Sequence, residues 1–218
     1  MDKFVIRTPR VKPVRTKVEI PDKEFKQTTI LSLRGVVVVE DIQRCKALLE
    51  IENQEKNVIL EQLKALEKKV PSREVLEETK IGLTLNRLRK HSEPEVSDRA
   101  TKIYREWKQH FKNKRDKPKI EVRFDHSTNK YRASSRSLLE DRLHPHEESK
   151  VLAEAIERSV FHLNGNTGTS YRRHVRSLVF TLRYQPDILS RLLCKKLTVD
   201  KLCLLYQKGK MKEARADH

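Results

Sequence analysis

Residues 71–111 read PSREVLEETKIGLTLNRLRKHSEPEVSDRATKIYREWKQHF, and their spacing decides the fold class. Pro71 breaks any helix that precedes it, and Ser72 has the side chain of an N-cap for a short helix over Arg73 to Thr79. That helix runs almost directly into another over Ile81 to Lys90. Ser92 and Glu95 then have capping-box spacing, with Pro94 in the first turn, where its missing N–H is harmless. On the helix that follows, Val96, Ala100, Ile103, Trp107 and Phe111 share one stripe, so Trp107 is expected to anchor a core.

The same period extends upstream. Ile42, Cys45, Leu48 and Leu49 recur at three- and four-residue steps, and Val58, Ile59, Leu63, Leu66 and Val70 repeat the pattern, which predicts two more helices. Val36 to Val39 alone would prefer a strand, because β-branched side chains lose rotamer freedom in helices, but no partner strand is apparent. We therefore expect a packed lead-in there. Before it, Pro9, Pro13 and Pro21 among basic and polar residues predict a mobile arm over 1–35. Downstream, the polar, basic stretch around Pro118 reads as a linker. A second compact unit is expected from Ser134. Its stripes are Leu138, Leu139 and Leu143; then Val151, Leu152, Ala155, Ile156, Val160 and Phe161; then, after the turn Asn164 to Gly168, Val175, Leu178, Val179 and Leu182. Pro186 and Thr198 mark two further helix starts. The expected class is all-α: an arm over 1–35, a helical bundle over 36–112, a basic linker over 113–133, a small helical bundle over 134–206 and a tail over 207–218.

Composition agrees with helices and narrows the function. Only five glycines and 6% aromatics argue against a sandwich or barrel. The longest wholly aliphatic run, Val36 to Val39, is far short of the roughly 20 apolar residues that span a bilayer, and Met1 to Arg10 lacks the apolar core of a signal peptide. Cys45, Cys194 and Cys203 form no CxxC pair, so reduced, part-buried thiols are expected. The net charge is +17, yet it is unevenly placed: nine Lys/Arg face four Asp/Glu in residues 1–35, but 15 face 14 in residues 36–111. A first bundle made for nucleic acid would carry the excess itself, so only weak or nonspecific nucleic-acid binding is expected. No phosphate loop, HExxH or GxSxG is present, and no nucleophile, base and charge-stabilising group come together. His144-Pro145-His146 lacks the companions of a metal site and reads as exposed histidines. The expectation is a protein without catalytic residues, metal or cofactor, with a basic nucleic-acid-binding protein as the alternative.

One surface feature stands out. On a helical wheel of residues 81–90, Ile81, Leu85 and Leu88 face one way, while Lys80, Leu83, Arg87 and Lys90 gather opposite. An apolar residue among cations suits a short partner segment that mixes acidic and hydrophobic residues, although a lone exposed leucine is also ordinary surface.

The run Pro71 to Gly82, with its T-x-I-G at Thr79 to Gly82, followed by N-x-L-R-K-H at Asn86 to His91 and by Trp107-Lys108, resembles the N-terminal domain of elongation factor S-II (TFIIS). Leu152 to Glu157, Phe161, Tyr171 to Ser177 and Leu182 are similar to that factor's central domain, in the same order along the chain. The resemblance implies an N-terminal bundle that binds disordered motifs of transcription regulators, as in Elongin A and a Mediator subunit. It also implies a three-helix central module that docks on RNA polymerase II. The partners it implies are elongation factors or Mediator-type regulators in the nucleus, with polymerase II as a further candidate and no membrane. The residues expected at the contacts are Lys80, Leu83, Arg87 and Lys90 in the first unit and Arg172, Arg173 and Arg176 in the second. Thr181 stands where the family pattern has Asn, and Lys195 where it has Gly. The cysteine-rich zinc ribbon that gives S-II its activity has no counterpart, since three dispersed cysteines cannot supply its four ligands. Stimulation of transcript cleavage is accordingly not expected.

Overall fold

The computed structural model describes residues 36–112 and 120–207; the expected arm over 1–35 and the tail from residue 208 lie outside the described residues. The first five helices are α1 (Val39–Glu50), α2 (Lys56–Glu67), α3 (Arg73–Thr79), α4 (Ile81–Leu88) and α5 (Pro94–Lys112). They form where the apolar period predicts. Ser72 Oγ accepts from Val75 N at 3.3 Å, so the expected cap is in place. Pro94 opens α5, but Glu95, expected to close a box with Ser92, instead pairs with Lys56 at 2.7 Å. Val75, Ile81, Leu85, Val96, Ala100, Ile103 and Trp107 meet Ile59, Leu63 and Leu66 of α2 in one core.

Val36–Val38 is a strand, β1, and it has a partner: Ile120–Val122, β2, pairs with it in parallel, Val36 opposite Ile120 and Val38 opposite Val122. The partner lies beyond five helices in sequence, and no local signal joins the two strands. It also falls inside the stretch expected to be linker. Residues 113–119 lie outside the described residues, and α6 starts at His126, not near Ser134. Asp125 caps it, accepting from Thr128 N at 3.1 Å. The early turns of α6 carry no apolar stripe because the side chain they bury is Arg132.

The second group comprises α6 (His126–Leu143), α7 (Ser149–Asn164), α8 (Thr169–Tyr184), α9 (Pro186–Leu193) and α10 (Val199–Leu205). Gly165, with φ of 71°, closes α7 by donating its N–H to Phe161 O at 2.8 Å, a left-handed position that suits glycine. Thr198 caps α10 as expected. Lys195, at the family's glycine position, also has a positive φ, 58°, and its ammonium is held by Glu148. The Glu148 contact helps hold a left-handed conformation that is unfavourable for a side chain with a Cβ.

Helix α1 belongs to both cores. Ile42, Cys45 and Leu49 pack into the first, whereas Ala47, Leu48 and Ile51 pack with Leu152, Ile156, Leu192 and Leu202 into the second. Polar ties reinforce the join: Arg44 meets Asp200 at 2.8 Å, and Asp41 lies 3.6 Å from His162. At its centre, the Arg132 guanidinium bridges Glu40 of α1 and Glu157 of α7, with contacts of 2.6 to 2.9 Å. Arg158 meets the same Glu40 at 2.7 Å, Tyr171 donates to Glu157 at 2.9 Å, and the Arg132 plane lies 4.0 Å from the Phe161 ring centroid. Two buried carboxylates are matched by two buried guanidinium groups, the condition under which such charges are tolerated. Burial opposes ionisation of Glu40, but hydrogen bonding from Arg132 and the charges of Arg158 and Arg132 outweigh it and hold the carboxyl below its ordinary range.

His174 gives the second core a pH dependence. It is buried; Nε2 donates to Cys203 O at 2.9 Å, which leaves Nδ1 to accept from Asn164 at 3.2 Å. Burial pushes its pKa below the ordinary 6.5, against a smaller upward push from the Cys203 carbonyl. The unfolded chain therefore binds the proton more tightly, and the stabilisation from neutral His174 is complete above pH 6.5 and declines as pH falls below it. The expected result is a lower Tm at about pH 5.5 than at about pH 7.5, with a smaller difference in His174→Gln, read by thermal melting.

Candidate interaction surfaces

The α3–α4 corner builds the first surface. Lys80 takes a left-handed φ of 56° and donates its N–H to Leu76 O at 2.9 Å, ending α3 and turning the chain into α4. Ile81, Leu85 and Leu88 then point into the core, and Thr84 is also buried, its hydroxyl 3.2 Å from Glu50. What remains outside is the expected set: Lys80, Leu83, Arg87 and Lys90 are all exposed, Leu83 by 70%. They stand at helical steps of three, four and three residues and so share a face. Arg87 is anchored, its guanidinium 3.4 Å from Leu49 O at the end of α1. This face presents one apolar side chain within a ring of cations.

The second surface lies on α8. Tyr171, His174, Val175, Leu178 and Leu182 are buried, and Arg172, Arg173 and Arg176, the residues expected at a partner contact, are exposed on the other side. Arg172 stacks 5.0 Å from the ring centroid of Tyr131 on α6. The two sets sit on different helix groups and form two separate faces. Sequence reasoning missed Phe180 and Tyr184, exposed by 60% and 57% with ring centroids 4.5 Å apart. Their signal was the four-residue step that links Arg172, Arg176, Phe180 and Tyr184, hidden because Phe180 directly follows the apolar pair Leu178-Val179. Thr181, expected where the family pattern has Asn, is buried on the packing side of α8.

Cys45 and Cys203 are buried, and burial pushes the Cys45 thiol up to about 11, the opposite of activation. Among the described residues, no group of three or more His, Cys, Asp or Glu is placed to hold a metal ion, and no helix is long and apolar enough to cross a membrane.

The class the structure defines is a pair of helical bundles with exposed cationic side chains. Residues 61–111 match the TFIIS helical bundle-like domain of the Med26 family, and residues 127–209 match the central domain of transcription factor S-II (TFIIS). Two successive stretches of the chain are thus similar to helical domains of TFIIS type. It is 37% identical over 73 residues to the probable mediator of RNA polymerase II transcription subunit 26a of Arabidopsis thaliana, a stretch that covers 33% of this chain and 13% of that protein. No solved structure matches it significantly. Both likenesses are to helical domains of transcription proteins.

Proposed function

We propose that the protein is a non-enzymatic nuclear adaptor of the polymerase II transcription machinery, whose first module holds acidic, hydrophobic disordered motifs of transcription regulators on the α4 face. The observation that carries this reading is Leu83, 70% exposed among Lys80, Arg87 and Lys90. A leucine so placed offers apolar contact where the surrounding cations select a negatively charged segment, the chemistry of helix and acidic-motif recognition. The second module supplies a basic docking face, Arg172, Arg173 and Arg176, toward the same machinery. The division into a module over 36–112 and a second ending near residue 206 is part of this proposal, with the second starting at α6.

The test is titration of labelled acidic, hydrophobic peptides from transcription regulators into the full chain and into a Leu83→Ala, Arg87→Glu double variant. Both side chains are exposed, so the fold is expected to persist, which circular dichroism checks. Binding is expected to weaken by about tenfold or more, the loss of one apolar anchor plus a reversed charge. Equal affinities would move the site elsewhere, and no binding of any such motif to the wild type would remove the adaptor reading.

A further inference from the structure

Helix α8, TSYRRHVRSLVFTLRY, carries four arginines and no carboxylate. Arg172, Arg176, Phe180 and Tyr184 follow one another at four-residue steps along its exposed side, with Arg173 and Arg183 beside them. From Arg172 to Tyr184 the stripe is roughly 18 Å long at 1.5 Å per residue. Both ends offer open aromatic surface backed by a guanidinium. Tyr131, 54% exposed, lies under Arg172, while Phe180 and Tyr184 lie together with Arg183 5.2 Å from the Tyr184 centroid. Among the described residues, none of these four arginines is paired with a carboxylate.

We infer that the exposed side of α8, with Tyr131, is a binding site for single-stranded RNA: its arginines take the phosphates, and Phe180, Tyr184 and Tyr131 stack on unpaired bases. This rests on the basic face proposed above and names what that face takes. Stacking needs bases whose faces are free, which excludes a duplex, and it tolerates any sequence because every base has a π face. An acidic peptide is the poorer fit. Flat ring faces backed by guanidinium groups match planar bases flanked by phosphates better than the flexible aliphatic side chains of such a peptide. Ser177, half-buried midway along the stripe, adds a hydroxyl that can meet a ribose 2′-OH, which favours RNA over DNA.

The experiment is fluorescence anisotropy with a labelled oligouridylate of about 12 nucleotides, the full chain, and two variants confirmed as folded by circular dichroism. Phe180→Leu, Tyr184→Leu keeps apolar surface but removes the π faces; Arg172→Ala, Arg176→Ala removes two phosphate contacts. The first is expected to weaken binding about tenfold or more at fixed salt, and the second to lower the slope of log K against log salt by about 1.4. The oligodeoxyuridylate is expected to bind more weakly, and an RNA duplex of the same length weaker still. Unchanged affinity in the leucine variant, equal binding of the DNA strand, or equal binding of the duplex would each overturn the inference. If RNA fails while wild-type chain retains purified polymerase II and Arg172→Ala, Arg176→Ala does not, the RNA assignment falls and the docking reading stands.

Discussion

Replacing Arg132 by alanine destabilises the protein by about 3 to 5 kcal/mol, the usual consequence of removing one partner from a buried ion cluster. The guanidinium contacts both Glu40 and Glu157 and stacks on Phe161, so its loss leaves two carboxylates in the interior with fewer donors and opens space beside an aromatic ring. Chemical denaturation of the full chain measures the effect. Arg158→Ala is expected to do less, because its other partner, Glu154, is part-exposed and can be hydrated. Changing Arg132 and Glu157 together to Met and Gln, which leaves Glu40 matched by Arg158, should recover most of the loss, because the cost of the single change is the stranded charge. A single variant within about 0.5 kcal/mol of the wild type would show that the cluster is not buried as described.

Trp107→Ala is expected to cost about 3 to 5 kcal/mol as well. The indole is buried in the first core, and its Nε1 donates to Lys69 O at 3.0 Å just beyond α2, so truncation removes apolar contact and leaves a carbonyl short of its donor. The sequence alone predicts that the first bundle unfolds. The shared helix α1 changes the form of that result. Because Ala47 and Leu48 of α1, with Ile51 just beyond its end, belong to the second core, loss of the first core also withdraws a wall from the second. One cooperative transition at a lower midpoint is expected, followed by far-UV circular dichroism and by hydrogen exchange in α7. Full protection of α7 after the α1–α5 bundle has melted would disprove the coupling. For the same reason residues 36–111 by themselves would expose the apolar face of α1, and binding tests belong on the longer chain.

Much of this fold was legible because helical signals are local. Ser72 before Arg73, the Val96 to Trp107 stripe and Thr198 before Val199 each speak within one or two turns, and each is found in place. The α4 face was legible for the same reason, since Ile81, Leu85 and Leu88 leave Leu83 no route to the core. What escaped was non-local. Ile42, Cys45, Leu48 and Leu49 read as one stripe, but Ile42, Cys45 and Leu49 serve one core and Leu48 the other. The pairing of β1 with β2 joins two three-residue strands separated by five helices. Arg132 hid the start of α6 by filling a core position with a charge, a choice that only Glu40 and Glu157 make tolerable.

The helix common to both cores also sets a rule for ligands that reach both faces. Two modules on a slack tether would let a bivalent partner find its second contact at many spacings, with an effective concentration that changes gradually with its own length. Here α1 fixes the offset between α4 and α8, so on the proposed reading the protein would act as a gauge: a partner whose two motifs match that offset would gain avidity without a new contact, and one that is too short would gain none.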